Sequence, residues 1–198
     1  MNRRAEALAR ATRYRVEYDH ASLFNYATAT TVCAGADGLA LASASHPLAA
    51  VPGTTVSNYT TSALSSSAIE NALIAFRKMV DDQNLLVSVE PSVLLVPPDL
   101  EFDAHEILNS SGKPYTADNE INAIKGRLQI KTWDFLTNTD RWFILASNKE
   151  AGPISYNRVP ISFDRGGDFD TGDLKMKSRT RYSFGFTDWR WAYVGAPT

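Results

Sequence analysis

The stretch SSAIENALIAFRKMVDD, residues 66–82, carries the clearest structural pattern in this sequence of 198 residues. Its apolar residues recur at i, i+4, i+7 and i+11, the spacing that places side chains on one face of an α-helix. These residues are Ile69, Leu73, Phe76 and Val80. The run SAIE (67–70) has the form of a capping box, in which Ser67 and Glu70 each bond a free backbone N–H. The pattern therefore predicts a helix that packs its apolar face on the core.

Shorter patterns on both sides of this helix predict the other elements. Residues 3–29 contain no Gly or Pro and have a thin helical stripe, and such a helix needs a partner to be stable. Residues 93–96 form a predicted buried strand, and Pro98 begins a predicted helix that reaches Asn109. Four later stretches rich in β-branched and aromatic residues are predicted strands: 127–133, 142–146, 154–160 and 175–186. This order of elements predicts an α+β fold.

Residues 30–61 have a different character, because they contain few large apolar residues. Asp37-Gly38 is a turn sequence typical of hairpins. A loop of about thirty residues without structure is unusual inside a compact domain. We therefore interpret this segment as an extended arm that is ordered mainly by neighbouring molecules. On this interpretation, deletion of residues 37–58 leaves a folded monomer that no longer assembles.

The composition excludes several classes of protein. The chain is 44% hydrophobic and 21% charged, close to average globular proteins. Its formal charge of −2 gives no support to tight nucleic-acid binding through phosphate neutralisation. A single cysteine, Cys33, excludes an internal disulfide and a cysteine-based zinc site. There is no apolar run of about 18 residues and no signal-peptide h-region, so the sequence predicts a soluble cytoplasmic protein.

Motifs for catalysis or cofactor binding are missing from the sequence. Neither a nucleophile elbow nor a glycine-rich phosphate loop occurs. The histidines lack the spacing of a zinc helix, and they are His20, His46 and His105. An aspartate cluster near residues 164–173 is interpreted as a solvated turn rather than a calcium loop, because no late Glu follows it. The tryptophans are interpreted as core residues rather than a base-stacking surface. We predict no catalytic, cofactor or metal site.

Over residues 37–195 the sequence resembles major capsid (head) proteins of tailed double-stranded DNA bacteriophages, in their Mu-like branch. The order and spacing of short pieces carry the resemblance. In chain order they are DGLAL (37–41), HPL (46–48), SN (57–58), the helix within 64–82, LLVPP (94–98) with Leu100 and Ala104, ADNEIN (117–122), WDFLT (133–137), WFIL (142–145), DFDTGD (168–173) and GFTDWR (185–190).

The resemblance implies the tailed-phage major capsid protein fold, which has a peripheral domain with a spine helix and long β-strands, an axial α/β domain and an extended loop. The implied parts, in chain order, are an N-terminal helical arm (1–33), the extended loop (34–61), the spine helix (62–92), the axial domain (93–165) and the return strands of the peripheral domain (166–198). Such proteins are usually longer, so the resemblance implies a chain that is short at its N-terminus.

The implied function is structural and not enzymatic. A major capsid subunit of this kind assembles with copies of itself into hexamers and pentamers of an icosahedral shell around DNA, in a bacterial cytoplasm. Portal, scaffold or decoration proteins are further implied partners, and DNA is packaged without sequence-specific binding. The residues expected to contact neighbouring subunits are Asp37, Gly38, Leu39, Leu41, His46, Pro47 and Asn58.

Two alternatives stay open at this point. The first is a cellular encapsulating shell protein with the same fold. The second is a soluble hydrolase that uses His105 or His46.

Overall fold

The computed structural model describes residues 2–112, 121–147, 152–167 and 169–197, and it shows a mixed α and β fold. The helices are α1 (Asn2–Asn25), α2 (Ser66–Arg77) and α3 (Glu101–Asn109). The strands are β1 (His46–Pro47), β2 (Thr55–Val56), β3 (Tyr59–Thr60), β4 (Pro91–Val96), β5 (Gln129–Thr132), β6 (Trp142–Ala146), β7 (Pro153–Gly167), β8 (Leu174–Phe186) and β9 (Ala192–Gly195). Two pieces of the resemblance, within 117–122 and at residue 168, lie partly outside the described residues.

A five-stranded sheet in the order β3-β9-β6-β4-β5 forms the centre of the molecule. The pairs β6–β9 and β4–β6 are antiparallel, whereas β3–β9 and β4–β5 are parallel. Because side chains alternate along a strand, each strand contributes to both faces of the sheet. Leu94 and Ile144 point to one face, and Leu95 and Phe143 belong to the hydrophobic cluster on the other. We call the sheet with its covering helices and loops the body.

Helix α2 covers the first face of the sheet, as its spacing predicts. Ile69 and Phe76 are fully buried there, together with Leu108 of α3. The predicted capping box is wrong in its position, because the N-cap is Ser65, whose hydroxyl accepts a bond from the N–H of Ala68. The helix also ends earlier than expected, at Arg77.

The burial of Phe76 makes it a direct test of this core. Phe76→Ala should lower the free energy of unfolding by about 3–5 kcal/mol, since it removes a large side chain and leaves a cavity. Ile74 lies on the same helix but is 52% exposed, so Ile74→Ala serves as the matched control. Urea denaturation followed by circular dichroism measures both variants. Equal losses of stability would show that α2 does not pack as described.

Residues 34–61 cover the second face, which differs from the sequence-based expectation. Leu41 and Ala42 pack with Leu95 and Phe143 of the sheet, and Leu48 is also buried. The segment makes the short pair β1–β2 and then contributes β3 to the edge of the sheet. It is therefore a cover for its own chain, and the interpretation as an arm ordered by neighbours is corrected.

The C-terminal end of α1 is held against the body. The Arg141 guanidinium donates to the carbonyl of Asn25 at 2.6 Å and to that of Phe24 at 3.4 Å. A cation at this end satisfies free helix carbonyls and complements the helix dipole. The Asn25 side chain also bonds Phe135 and Thr137. Helix α1 is thus fixed at one end, and its remainder extends away from that point.

Strands β7 and β8 form a separate two-stranded antiparallel sheet, which we call the ribbon (residues 153–186). Its strands are longer than the predicted 154–160 and 175–186, because residues 161–167 continue β7. The ribbon pairs residues from the segment 93–165 with residues from 166–198. The body sheet likewise combines strands from 34–61, 93–165 and 166–198. These segments are thus interleaved in the fold.

Candidate subunit-contact surfaces

A buried polar cluster fixes residues 34–61 to the body. Its centre is His46, which is fully buried. The Nδ1 atom of His46 lies 2.6 Å from a carboxylate oxygen of Asp37, and Nε2 lies 3.2 Å from Oδ1 of Asn58. The imidazole stacks on the Trp189 ring with the planes at 4° and the centroids 4.0 Å apart. The turn at Asp37-Gly38 is confirmed, and the cluster connects it to the C-terminal part of the chain.

Asn58 is the second fully buried polar residue of the cluster. Its Nδ2 atom donates to three carbonyl oxygens, and its Oδ1 accepts from the N–H of Ser43 at 3.0 Å. The carbonyls belong to Leu41, Trp189 and Ala192. These bonds give partners to the buried side-chain amide, as burial requires. One side chain thus connects the segment to β9 and to the turn before it.

The hydrogen bonds indicate which form of His46 the cluster holds. The bonds of Asn58 to three carbonyls fix its amide so that Oδ1 faces Nε2. Both ring nitrogens therefore face oxygen acceptors, and only the imidazolium can donate to both. Burial alone would raise the pKa of Asp37, but the hydrogen bond and charge of His46 and the Leu39 N–H hold it below its usual value. The cluster is thus a buried ion pair.

The lowered pKa of Asp37 predicts an acid-sensitive fold. Since the folded chain binds this proton less tightly than the unfolded chain, the carboxylate stabilises the fold above its unfolded pKa of about 3.9. That contribution is lost as the pH falls through the lower folded pKa. We expect the stability difference between wild type and Asp37→Asn to be fully present above about pH 5 and to narrow as the pH falls toward about 3.

Urea denaturation at a series of pH values measures this difference. The exposed Asp134 provides the matched control, Asp134→Asn, which should follow the wild type. An equal acid dependence in wild type and Asp37→Asn would contradict the ion pair.

The seven residues expected to contact neighbouring subunits differ in how far they are exposed to solvent. Leu41, His46 and Asn58 are buried within their own chain, and their contact with a neighbouring subunit stays a prediction. Asp37 and Leu39 are half-buried, whereas Gly38 and Pro47 are exposed. The contacts of the exposed residues with a neighbour stay a prediction.

The ribbon is the surface that sequence reasoning did not identify. Alternate residues of β8 face α1, and the Thr12 hydroxyl donates to Oγ of Ser178 at 2.7 Å. Burial, followed by a 2.6 Å hydrogen bond to Asp19, raises the pKa of Tyr182 to about 12. The His20 ring lies 5.2 Å from the Tyr182 and Phe184 rings. Met176, Tyr182 and Phe184 alternate with exposed residues of β8 and lie on this half-buried face.

The opposite face of the ribbon is exposed and basic. It presents the alternate residues of β8 that point away from α1: Lys175, Lys177, Arg179 and Arg181. Lys177 lies 3.5 Å from Asp164 of β7, with both side chains largely in solvent. A cross-strand pair so exposed contributes at most about 1 kcal/mol. The side chains of this face are therefore largely exposed to solvent.

The histidine, tryptophan and cysteine residues considered as functional candidates lie in surroundings that are typical of structural residues. His46 has no surface through which a substrate could reach it, and His105 lies beside Asn109 on α3. Trp142 and Trp189 are core residues, as predicted. Burial raises the pKa of Cys33, whose Sγ lies 3.7 Å from the carbonyl oxygen of Phe184.

Two kinds of feature are absent from the described part of the chain. No group of three or more His, Cys, Asp or Glu side chains there is placed to hold a metal ion. Asp164 of the aspartate cluster lies in β7, and Asp168 lies outside the described residues. None of the helices in these same ranges has both the length and the apolar character needed to cross a membrane.

Comparison with known proteins gives one result that covers all of these elements. A family model described as phage capsid protein matches residues 1–195. The matched region contains the body, α1 and the ribbon. A search of curated proteins gives no match.

Proposed function

Because the chain belongs to the phage capsid protein family, a family of structural virion proteins, we propose that it is a major capsid subunit of a tailed phage. Copies of the chain assemble into hexamers and pentamers of an icosahedral shell that encloses double-stranded DNA. The role is geometric: the shell takes its curvature from the angles between subunits and its stability from contacts repeated over many copies.

The ribbon is the observation that supports self-assembly. A strand of fifteen residues spans roughly 50 Å, so the ribbon is long relative to a single domain. Two-stranded sheets are marginally stable in water by themselves. Here α1 covers one face, and the other face is exposed to solvent. Interfaces of permanent complexes bury about 2,000 Å² or more, and the exposed face of the ribbon can contribute part of such an area.

The proposal changes which part of the chain overlaps a neighbouring subunit. That part is the ribbon rather than residues 34–61, because those residues are needed to cover the body. Residues 62–92 stay the proposed spine region. The proposed axial domain (93–165) and return strands (166–198) are kept, with the ribbon formed where the two segments pair. The Mu-like branch, the portal, scaffold or decoration partners, and packaging of DNA without sequence-specific binding are parts of the same proposal.

Assembly of the purified chain tests the proposal. We expect sedimentation velocity at increasing protein concentration to show a transition from small species to large, uniform particles. Negative-stain electron microscopy should show closed shells, or sheets and rings of capsomers. A chain that stays monomeric at every concentration, with native circular dichroism, would contradict the proposed function.

A further inference from the structure

The charges of the chain are separated between its two parts. Helix α1 and the ribbon, residues 2–25 and 153–186, together carry eleven Lys and Arg residues against seven Asp and Glu. The rest of the chain carries nine against fifteen. The formal charges are therefore +4 and −6, although the whole chain has a net charge of only −2. The nearly neutral net charge of the chain is thus the sum of a positive charge on α1 and the ribbon and a negative charge on the rest of the chain.

The basic charge of the ribbon is concentrated on its uncovered face. Lys175, Lys177, Arg179 and Arg181 alternate with residues that face α1, so all four point the same way. The β7 residues paired opposite them add one carboxylate, Asp164. The face is therefore a row of cations along one strand.

This row of cations disfavours contact between two ribbons. Lysine and charged residues on an exposed strand oppose edge-to-edge pairing, and identical basic faces repel each other. A symmetric contact of ribbon on ribbon is thus unfavourable. The ribbon instead requires a different surface on its neighbour, which is a heterologous contact. Heterologous contacts generate rings and larger assemblies when they are repeated.

The body presents an acidic surface that matches the ribbon. The outward stripe of α3 and of the turn before it has the spacing i, i+3, i+4 and i+7. Its members are Asp99, Phe102, Asp103 and Glu106. Phe102 is 81% exposed between these carboxylates. An aromatic face beside carboxylates suits an arginine, which can stack on the ring and pair with the acids.

We propose that the basic face of the ribbon docks on the acidic α3 surface of a second copy of this chain. The inference rests on the proposed function, since it names the surfaces through which copies meet. Complementary charge sets the orientation and speed of such an encounter more than its strength. The apolar contacts that surround these charges then hold the interface. The contact selects which neighbour is bound and in which direction.

A charge-swap experiment on the full-length chain tests this pairing. The ribbon variant carries Arg179→Glu and Arg181→Glu, and the helix variant carries Asp99→Lys and Asp103→Lys. Each should raise the protein concentration needed for half-assembly by at least about tenfold, because like charges then face each other. The variant with all four substitutions restores opposite charges and should assemble within about threefold of the wild type.

A matched control distinguishes an effect of this specific charge pairing on assembly from an effect of the changed net charge. Arg127 and Lys131 are exposed on the body, and Arg127→Glu with Lys131→Glu changes the net charge as much as the ribbon variant does. This control should assemble like the wild type. Circular dichroism and thermal unfolding of every variant confirm that the fold is intact before assembly is measured by sedimentation.

Each outcome of these measurements supports or overturns either the docking proposal or the proposed function. Loss of assembly in both double variants with recovery in the fourfold variant supports the docking. Normal assembly of either double variant, or no recovery in the fourfold variant, overturns it while the capsid proposal stands. A ribbon variant that assembles normally but protects less DNA from nuclease also overturns it, and assigns the basic face to nucleic acid. A wild-type chain that never assembles overturns the proposed function itself.

Discussion

Removal of residues 37–58 should abolish cooperative folding of the chain. The deletion takes away Leu41 and Leu48, which are buried, and it also removes the ion pair of Asp37 with His46. The second face of the sheet would then lose part of its cover over Leu95 and Phe143, where the C-terminal residues of α1 and Leu136 would remain. Burial of one large apolar side chain contributes about 1.5–3 kcal/mol, and a domain has about 5–15 kcal/mol in total.

The measurement compares this deletion with one in the ribbon. Ser162 pairs with Arg179, so residues 163–178 can be replaced by Asn-Gly, a two-residue hairpin turn. We expect the shortened ribbon to leave a folded body that does not assemble, whereas the first deletion gives no cooperative urea transition. A native-like transition after removal of residues 37–58 would show that the segment is not part of the core.

Asn58→Ala should cause the largest loss of stability among single substitutions outside the apolar core. The side chain makes five hydrogen bonds within a fully buried site. Each buried polar group left without a partner costs about 1–3 kcal/mol. We therefore expect the free energy of unfolding to fall by about 4–6 kcal/mol, since several such groups lose their partner together.

The matched control is Asn71→Ala on the exposed side of α2. It should change stability by less than about 0.5 kcal/mol. Urea denaturation at neutral pH measures the free energy of unfolding of both variants. A further variant, Asn58→Asp, tests the contribution of the Nδ2 donor. Because the aspartate cannot donate to the three carbonyls, it should be as destabilising as alanine. Stability within 1 kcal/mol of the wild type for Asn58→Ala would contradict the described network, given about 1–3 kcal/mol for each group.

The elements with strong local patterns could be predicted from the sequence. Helix α2, β4 and β6 have continuous apolar spacing, and Pro98 marks the start of the turn that leads into α3. The thin stripe of α1 correctly indicated a helix that needs a partner. In each case the signal lies within about a dozen neighbouring residues, and the tertiary contacts agree with it.

The role of residues 34–61 could not be predicted, because its evidence is not local. The segment covers the sheet with small residues such as Ala40 and Ala42, which carry little hydrophobic signal. Its strongest attachments are the bonds of Asn58 to backbone carbonyls more than 100 positions away along the chain. An isolated asparagine in a polar stretch indicates a turn as readily as a buried anchor.

The full length of the ribbon could also not be predicted from the sequence. Residues 164–173 contain aspartates and glycines, which are typical of a turn. Part of that stretch nevertheless extends β7 to Gly167. The basic face of the ribbon was not predicted either, for a different reason. The net charge of the whole chain is close to zero, and it does not show that α1 and the ribbon are positive while the rest of the chain is negative. Alternation along β8 brings Lys175, Lys177, Arg179 and Arg181 into one row, and composition does not contain that information.

The position of β9 has a consequence for the rate of folding. This strand lies between β3 and β6, so β3 joins the sheet only through residues more than 130 positions further along the chain. Asn58 likewise binds the carbonyls of residues 189 and 192. Bringing such distant parts of a chain together carries a large loop-closure entropy and slows folding. We therefore expect the sheet to complete its β3 edge after the nearer strands β4, β5 and β6 have paired.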